Sequence, residues 1–163
     1  MSRAASHRIS HLGSGKRHIL KAMSAPNLLG RLTGGPFWSL VRPSMAEDEV
    51  PVHFAQLRRA QGAEEVSGVL FLTSHQLIWR TIDPRKPEGL GTDITLSEVL
   101  GVDEPTRLAA FMAFRVVTEE NGLPVDTYFF PQHRTEVDRL LCHQMYDSLE
   151  GAWQTQRILR FGT

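Results

Sequence analysis

Cysteine is almost missing from this sequence: Cys142 is the one thiol in 163 residues. That excludes an internal disulfide and leaves no cysteine-based zinc signature. No apolar run approaches the ~20 residues that a membrane-spanning helix needs, which excludes a helical integral membrane protein. A phosphate loop is missing too, because Gly13-Ser14-Gly15-Lys16 lacks both a preceding strand and the full spacing. There is no Gly-x-Ser-x-Gly elbow. Net charge is also absent, with 18 Lys+Arg against 18 Asp+Glu. No catalytic constellation survives this list, so a non-enzymatic protein is expected. What remains is ordinary globular composition, 41% hydrophobic and 22% charged, at a length that suits one domain with its own core.

The zero charge is an average of two unlike parts. Residues 1–46 hold seven Lys/Arg and no acid, while residues 47–163 hold eleven basic and eighteen acidic residues, a balance of −7. The basic arm carries Arg8, Lys16, Arg17, Lys21 and Arg31, interleaved with serines and broken by Gly13, Gly15, Gly30, Pro26 and Pro36. Its best helical window is Lys16 to Leu29, where Ile19, Leu20 and Met23 share a face. Three readings fit it. An Arg- and Ser-rich, acid-free N-terminus has the composition of an organellar transit peptide. An anchoring arm would lie along an acidic partner surface, with Phe37 and Trp38 as buried plugs. A disordered tail or upstream extension also fits, since Met45-Ala46-Glu47 would serve as a start of its own. A transit peptide would place the protein in mitochondria or another organelle; otherwise a cytoplasmic or cytoskeletal intracellular location follows. His7 and His11 are four residues apart, but no third ligand is spaced for them and no metal site is expected.

From Val50 the punctuation is that of short strands. The segments 50–59, 68–73, 77–82, 94–102, 109–118 and 125–130 are β-prone, and Gly62-Ala63-Glu64-Glu65 reads as a turn. Only Ser74, His75 and Gln76 separate the second and third segments, which predicts a tight hairpin. Asn121-Gly122 predicts another. After Pro131 the period changes to three and four: Val137, Leu140, Leu141, Met145, Leu149, Ala152 and Trp153 mark a helix from about 134 to 158. Thr135 with Asp138 is a capping box that uses Asp in place of Glu. Six or seven antiparallel strands followed by one helix predict an α+β, mainly β chain: a barrel or sandwich capped by its C-terminal helix.

Certain residues in that order resemble the pleckstrin-homology-like (PH-like) superfamily. Gly68-Val69-Leu70-Phe71-Leu72-Thr73 followed by Gln76-Leu77-Ile78-Trp79-Arg80 resembles the hairpin of GRAM and GLUE domains, and of the BBSome's PH-like subunit. Tyr128-Phe129-Phe130 leading into His133-Arg134-Thr135 is most similar to the N-terminal domain of the large non-helicase core subunit of TFIIH. The likeness covers about residues 50–153. It implies a PH-like docking or adaptor protein in a larger protein assembly. In the TFIIH version it implies a basic face that grips short acidic segments, for which Arg107, Arg115 and Arg134 are the cations on the sheet. The phosphoinositide-binding relatives imply an alternative, a peripheral module for anionic lipid. Its cations would be Arg58, Arg59, Arg80, Arg85 and Lys86, but Glu64 and Glu65 in the first hairpin loop oppose a phosphate. A TFIIH-like transcription or repair role is a second alternative, although that subunit's further helical domains have no counterpart here.

Three side-chain groups remain. Cys142, near His143 and His133, sits on or beside the helix's apolar face and reads as a small core residue. Trp153 either packs the helix end or docks a partner. Asp103, Glu104, Glu119 and Glu120 read as solvated turn charge, because no calcium-loop spacing links them. No cofactor is called for. The expected partners are proteins of an assembly, with an acidic surface met by residues 1–46; an anionic membrane is an alternative, and nucleic acid is disfavoured by the −7 domain.

Overall fold

The computed structural model describes residues 35–82, 91–104 and 113–162. A one-turn helix, α1 (Gly35–Trp38), and a 3-10 turn (Arg42–Ser44) precede the sheet. Strands β1 (Pro51–Gln61), β2 (Glu64–Thr73), β3 (Gln76–Thr81) and β4 (Thr92–Thr95) follow. A second 3-10 turn (Leu96–Glu98) leads to β5 (Gly101–Asp103), β6 (Phe114–Glu120), β7 (Leu123–Pro131) and the long helix α2 (Glu136–Phe161). The seven strands make one antiparallel sheet in the order β4-β3-β2-β1-β7-β6-β5. This is the architecture expected from the strand-then-helix order.

Turn chemistry sets the registers. Gln61 pairs with Glu64, so the first turn is only Gly62-Ala63 and both glutamates belong to β2. Gly62 holds φ 60° as the first central residue, the position at which a II′ turn needs glycine. Asn121 and Gly122 hold φ 53° and 78°, the paired positive angles of a I′ turn, and Glu120 faces Leu123 across it. The single strand expected over 94–102 is instead two short strands. The Thr95 side chain and the Glu98 carboxylate complete a capping box that turns Leu96–Glu98 into 3-10 helix.

The pleat sends alternate residues to opposite faces, and here both faces of the central hairpin are covered. Leu70, Leu72, Leu77 and Trp79 face the main core with Leu57, Phe114, Val116 and Phe129. Val69, Phe71 and Ile78 face the other way, into a second cluster closed by Phe37, Trp38 and Val41. Trp38 meets the rings of Phe71 at 5.3 Å and Phe54 at 6.0 Å, edge-on. Residues 37–45, expected in the arm, therefore lie on the outer face of the sheet as a strap. Buried Glu49 ties down its end: one carboxylate oxygen accepts from the Thr73 hydroxyl, and the other from Ala46 N (2.8 Å) and Gln76 Nε2 (3.0 Å). Gln76 Nε2 also donates to Ser44 O at 2.7 Å.

Helix α2 crosses β1 and β7. Thr135 caps it by accepting from Asp138 N at 3.2 Å. The Asp138 carboxylate reaches back to His133, accepting from its backbone N (3.0 Å) and meeting its ring Nδ1 (2.8 Å). The buried stripe is Asp138, Cys142, Met145 and Leu149. Val137 and Leu140, expected on that stripe, are exposed; with Cys142 and Met145 centred on the core, the 100° step per residue turns both outward.

Candidate docking cleft

The sheet curls without closing, and its end strands β4 and β5 are not paired to each other. A cleft of about 600 Å³ lies in this opening. Thr92 and Ile94 of β4 flank it on one side, and Thr118, Glu119 and Glu120 at the end of β6 flank it on the other. Buried Leu70, Leu77, Trp79 and Phe129 make its floor. The exposed carboxylates of Glu98, Glu119 and Glu120 stand at its rim. Arg59 is the one cation lining it among the described residues.

Arg59 is already engaged. It donates to Thr92 Oγ1 at 3.0 Å and to Gln61 Oε1 at 2.8 Å, and its guanidinium lies 5.9 Å from the Trp79 ring centre. Burial pulls this guanidinium below its ordinary value, and the Glu64 charge works against that pull. Among the described residues, an apolar basin with three carboxylates and one hydrogen-bonded arginine offers charge complementary to a cation rather than to an anion.

The cations expected to form an anion site are not pooled here. Strand alternation points Arg59 into the cleft and Arg58 and Arg80 to the outer face. Arg58 pairs with Glu65 at 2.5 Å and stacks on Phe130, while Arg80 pairs with Asp93 at 2.6 Å and donates to Ser44 Oγ at 2.8 Å. Among the described residues these three cations do not share a face, and acids one strand away already answer the two outward arginines. Arg85 and Lys86 lie outside the described residues. Of the basic face expected on the sheet, Arg115 can be placed in detail. Arg115 is held by Asp103, through a 2.9 Å bond from its Nε among others, and lies near Asp126; Arg107 is outside the described residues. The Asp103 carboxylate raises the Arg115 guanidinium above its ordinary value.

No protein-family model matches the sequence, and no curated protein sequence matches it. Solved structures do. The C-terminal domain of an unknown protein from Leishmania infantum gives a TM-score of 0.54 at 19% identity, covering 74% of this chain and 97% of that one. The hSac2 domain of the human phosphoinositide phosphatase Sac2 gives 0.55 at 13% identity, covering 81% of this chain and 86% of that one. The DH/PH domains of PDZ-RhoGEF, in complex with GTPγS-activated RhoA, give 0.52 at 14% identity, covering 87% of this chain and 40% of that one. The fold is PH-like. At these identities the likeness speaks for the fold alone.

The remaining expected site residues of this PH-like chain fall in three places. Arg8, Lys16, Arg17, Lys21 and Arg31 lie outside the described residues, as do His7, His11 and the Lys16 to Leu29 window. Phe37 and Trp38 are 8% and 3% exposed, so the plugs expected in a partner fill the chain's own second cluster instead. Trp153 packs the helix end: its Nε1 donates to Val99 O at 3.0 Å, and Arg157 lies 4.9 Å above its ring. Beyond it the helix tip leaves Ile158, Leu159 and Phe161 exposed. Among the described residues no helix is long and apolar enough to cross a membrane. Of the rim glutamates, Glu119 and Glu120 were legible only as turn charge beside Asn121-Gly122, and Glu98 only as part of the single strand expected over 94–102.

Cys142 is fully buried against β7, with its thiol 4.0 Å from Phe129 O. Burial, helped by the Glu104 charge, pushes the thiol up to about 12. A thiol reagent at pH 8 is expected to spare it in the folded protein and to label it fully in denaturant; rapid labelling of folded protein would contradict this. The pH dependence has a definite sign. Above about 8.5, the ordinary thiol value, the unfolded chain gives up this proton while the folded chain keeps it. The folded state then binds more protons, so this group's contribution to stability falls as pH rises towards 12.

Proposed function

We propose that this chain is a non-enzymatic PH-like docking module, a subunit of a larger protein assembly that receives a basic, partly apolar segment of a partner protein in the cleft between β4 and β6. One observation supports this most. Three exposed carboxylates, Glu98, Glu119 and Glu120, ring an apolar floor whose one arginine among the described residues is already hydrogen-bonded. A phosphate or acidic peptide would meet net negative charge there. A segment bearing Lys or Arg beside apolar residues meets complementary charge and a desolvated floor. The acid-free arm, with Arg8, Lys16, Arg17, Lys21 and Arg31, supplies the complementary contact to an acidic surface elsewhere in the same assembly.

Titration of the full-length protein with a short Lys/Val peptide, followed by tryptophan fluorescence because Trp79 lies in the floor, tests this reading. Binding is expected to weaken with salt. The double variant Glu119→Gln/Glu120→Gln is expected to weaken it about fivefold, since exposed ion pairs contribute about 0.2–1 kcal/mol each. Equal binding of a Glu/Val peptide, or no binding of the Lys/Val peptide at low salt, overturns it.

A further inference from the structure

The cleft is bounded by backbone as well as by side chains. Strand β4 pairs with β3 along Thr92–Thr95, and its other edge has no strand partner among the described residues. Across the opening, β5 covers β6 only from Arg115 to Val117. Thr118, Glu119 and Glu120 continue β6 beyond that point, paired on one side to β7 and on the other to no described strand. Two edges with no partner among the described strands thus border one apolar basin. Such edges carry rows of N–H and C=O groups that accept an added strand.

The side-chain pattern of the borders fixes what that strand should look like. Thr92 and Ile94 line the cleft, whereas Asp93 points outward to Arg80. A neighbouring strand in register shares this alternation, with every second side chain over Leu77, Trp79 and Phe129 and the others standing out towards solvent. By the same alternation Glu119 stands on the outer side of β6 while Thr118 and Glu120 share the cleft side with Val116, so outward positions have Asp93 and Glu119 at their two borders and Glu98 lines the cleft nearby. Resting on the docking reading above, we infer that the occupant binds as an extended strand in the gap between β4 and β6. It places apolar residues on the floor at alternate positions and Lys or Arg between them. At roughly 3.3 Å per residue, four to six residues span the paired edge. Main-chain hydrogen bonds to β4 or β6 supply affinity, and the alternation supplies specificity.

Three peptides of equal length and charge test the mode on the full-length protein: alternating Lys-Val-Lys-Val-Lys-Val-Lys, the block form Lys-Lys-Lys-Lys-Val-Val-Val, and the alternating peptide N-methylated at every second amide. The alternating peptide is expected to bind at least tenfold tighter than either of the others. It should also slow hydrogen exchange at the amides of Thr92–Thr95 or Thr118–Glu120. If the block and methylated peptides bind equally well and no edge amide is protected, strand addition is wrong while a basic-segment cleft stands. If none of the three binds, the docking reading falls with it.

Discussion

Trp38→Ala is expected to lower the unfolding free energy by about 3–5 kcal/mol, the range for truncating a large buried aromatic. The residue lies outside the strands, in a segment that composition alone assigns to a basic arm. It is nevertheless 3% exposed, held edge-on by Phe54 and Phe71 and joined by Phe37 and Val41 over the outer face of the hairpin. Removing it leaves a cavity in a cluster with few other members, so little can collapse to fill it. The indole carries a complication that makes the prediction sharper. Its Nε1 is buried with no hydrogen-bond partner among the described residues. An unmet buried donor costs about 1–3 kcal/mol, which offsets part of what the ring contributes. Trp38→Phe removes that donor and keeps most of the ring, and is expected to stay within about 1 kcal/mol of the parent. Chemical denaturation of the three proteins checks both statements. An alanine variant as stable as the parent would show that the strap does not hold the sheet.

Gly68→Ala is the second large effect. Gly68 sits in β2 opposite Thr81, beneath the Trp79 side chain. A Cβ there would lie 2.5 Å from the Arg80 carbonyl oxygen and equally inside the indole ring's contact distance. The oxygen belongs to the ladder and cannot move aside without breaking the β2–β3 pairing. Overpacking of a well-filled core typically costs about 1–3 kcal/mol; with backbone as one of the two obstacles, the upper end, about 3 kcal/mol, is expected here. Gly62→Ala offers a contrast, because open space surrounds that position and only its φ of 60° resists a side chain. It is expected to cost about 1 kcal/mol, through backbone strain alone. Thermal melts of the two variants should therefore separate steric from conformational glycine.

The fold was legible because its signals are local. Two turns written as Gly62-Ala63 and Asn121-Gly122, an apolar hairpin and one helical period define most of the chain order. The second cluster was only half legible. Val69 to Leu72 is apolar at every position, and a strand of that kind is buried on both faces. Phe37, Trp38 and Val41 are the cover such a strand needs, yet their basic, glycine-rich surroundings pointed to an external anchor instead. The cleft was not legible at all. Arg58 and Arg59 are neighbours in sequence, but the pleat sends them to opposite faces, where one meets Glu65 and the other Thr92. Glu98 and Glu119 are 21 positions apart and share a rim only because the sheet curls.

The strap places a boundary on how the N-terminus can be processed. A leader cut between Pro43 and Ala46, or translation begun at Met45, would discard Phe37, Trp38 and Val41 and strip the outer face of the hairpin. Phe54, Val69, Phe71 and Ile78 would then form a contiguous greasy wall, inviting aggregation or capture by a chaperone. Any processing upstream of Phe37 leaves this cover in place.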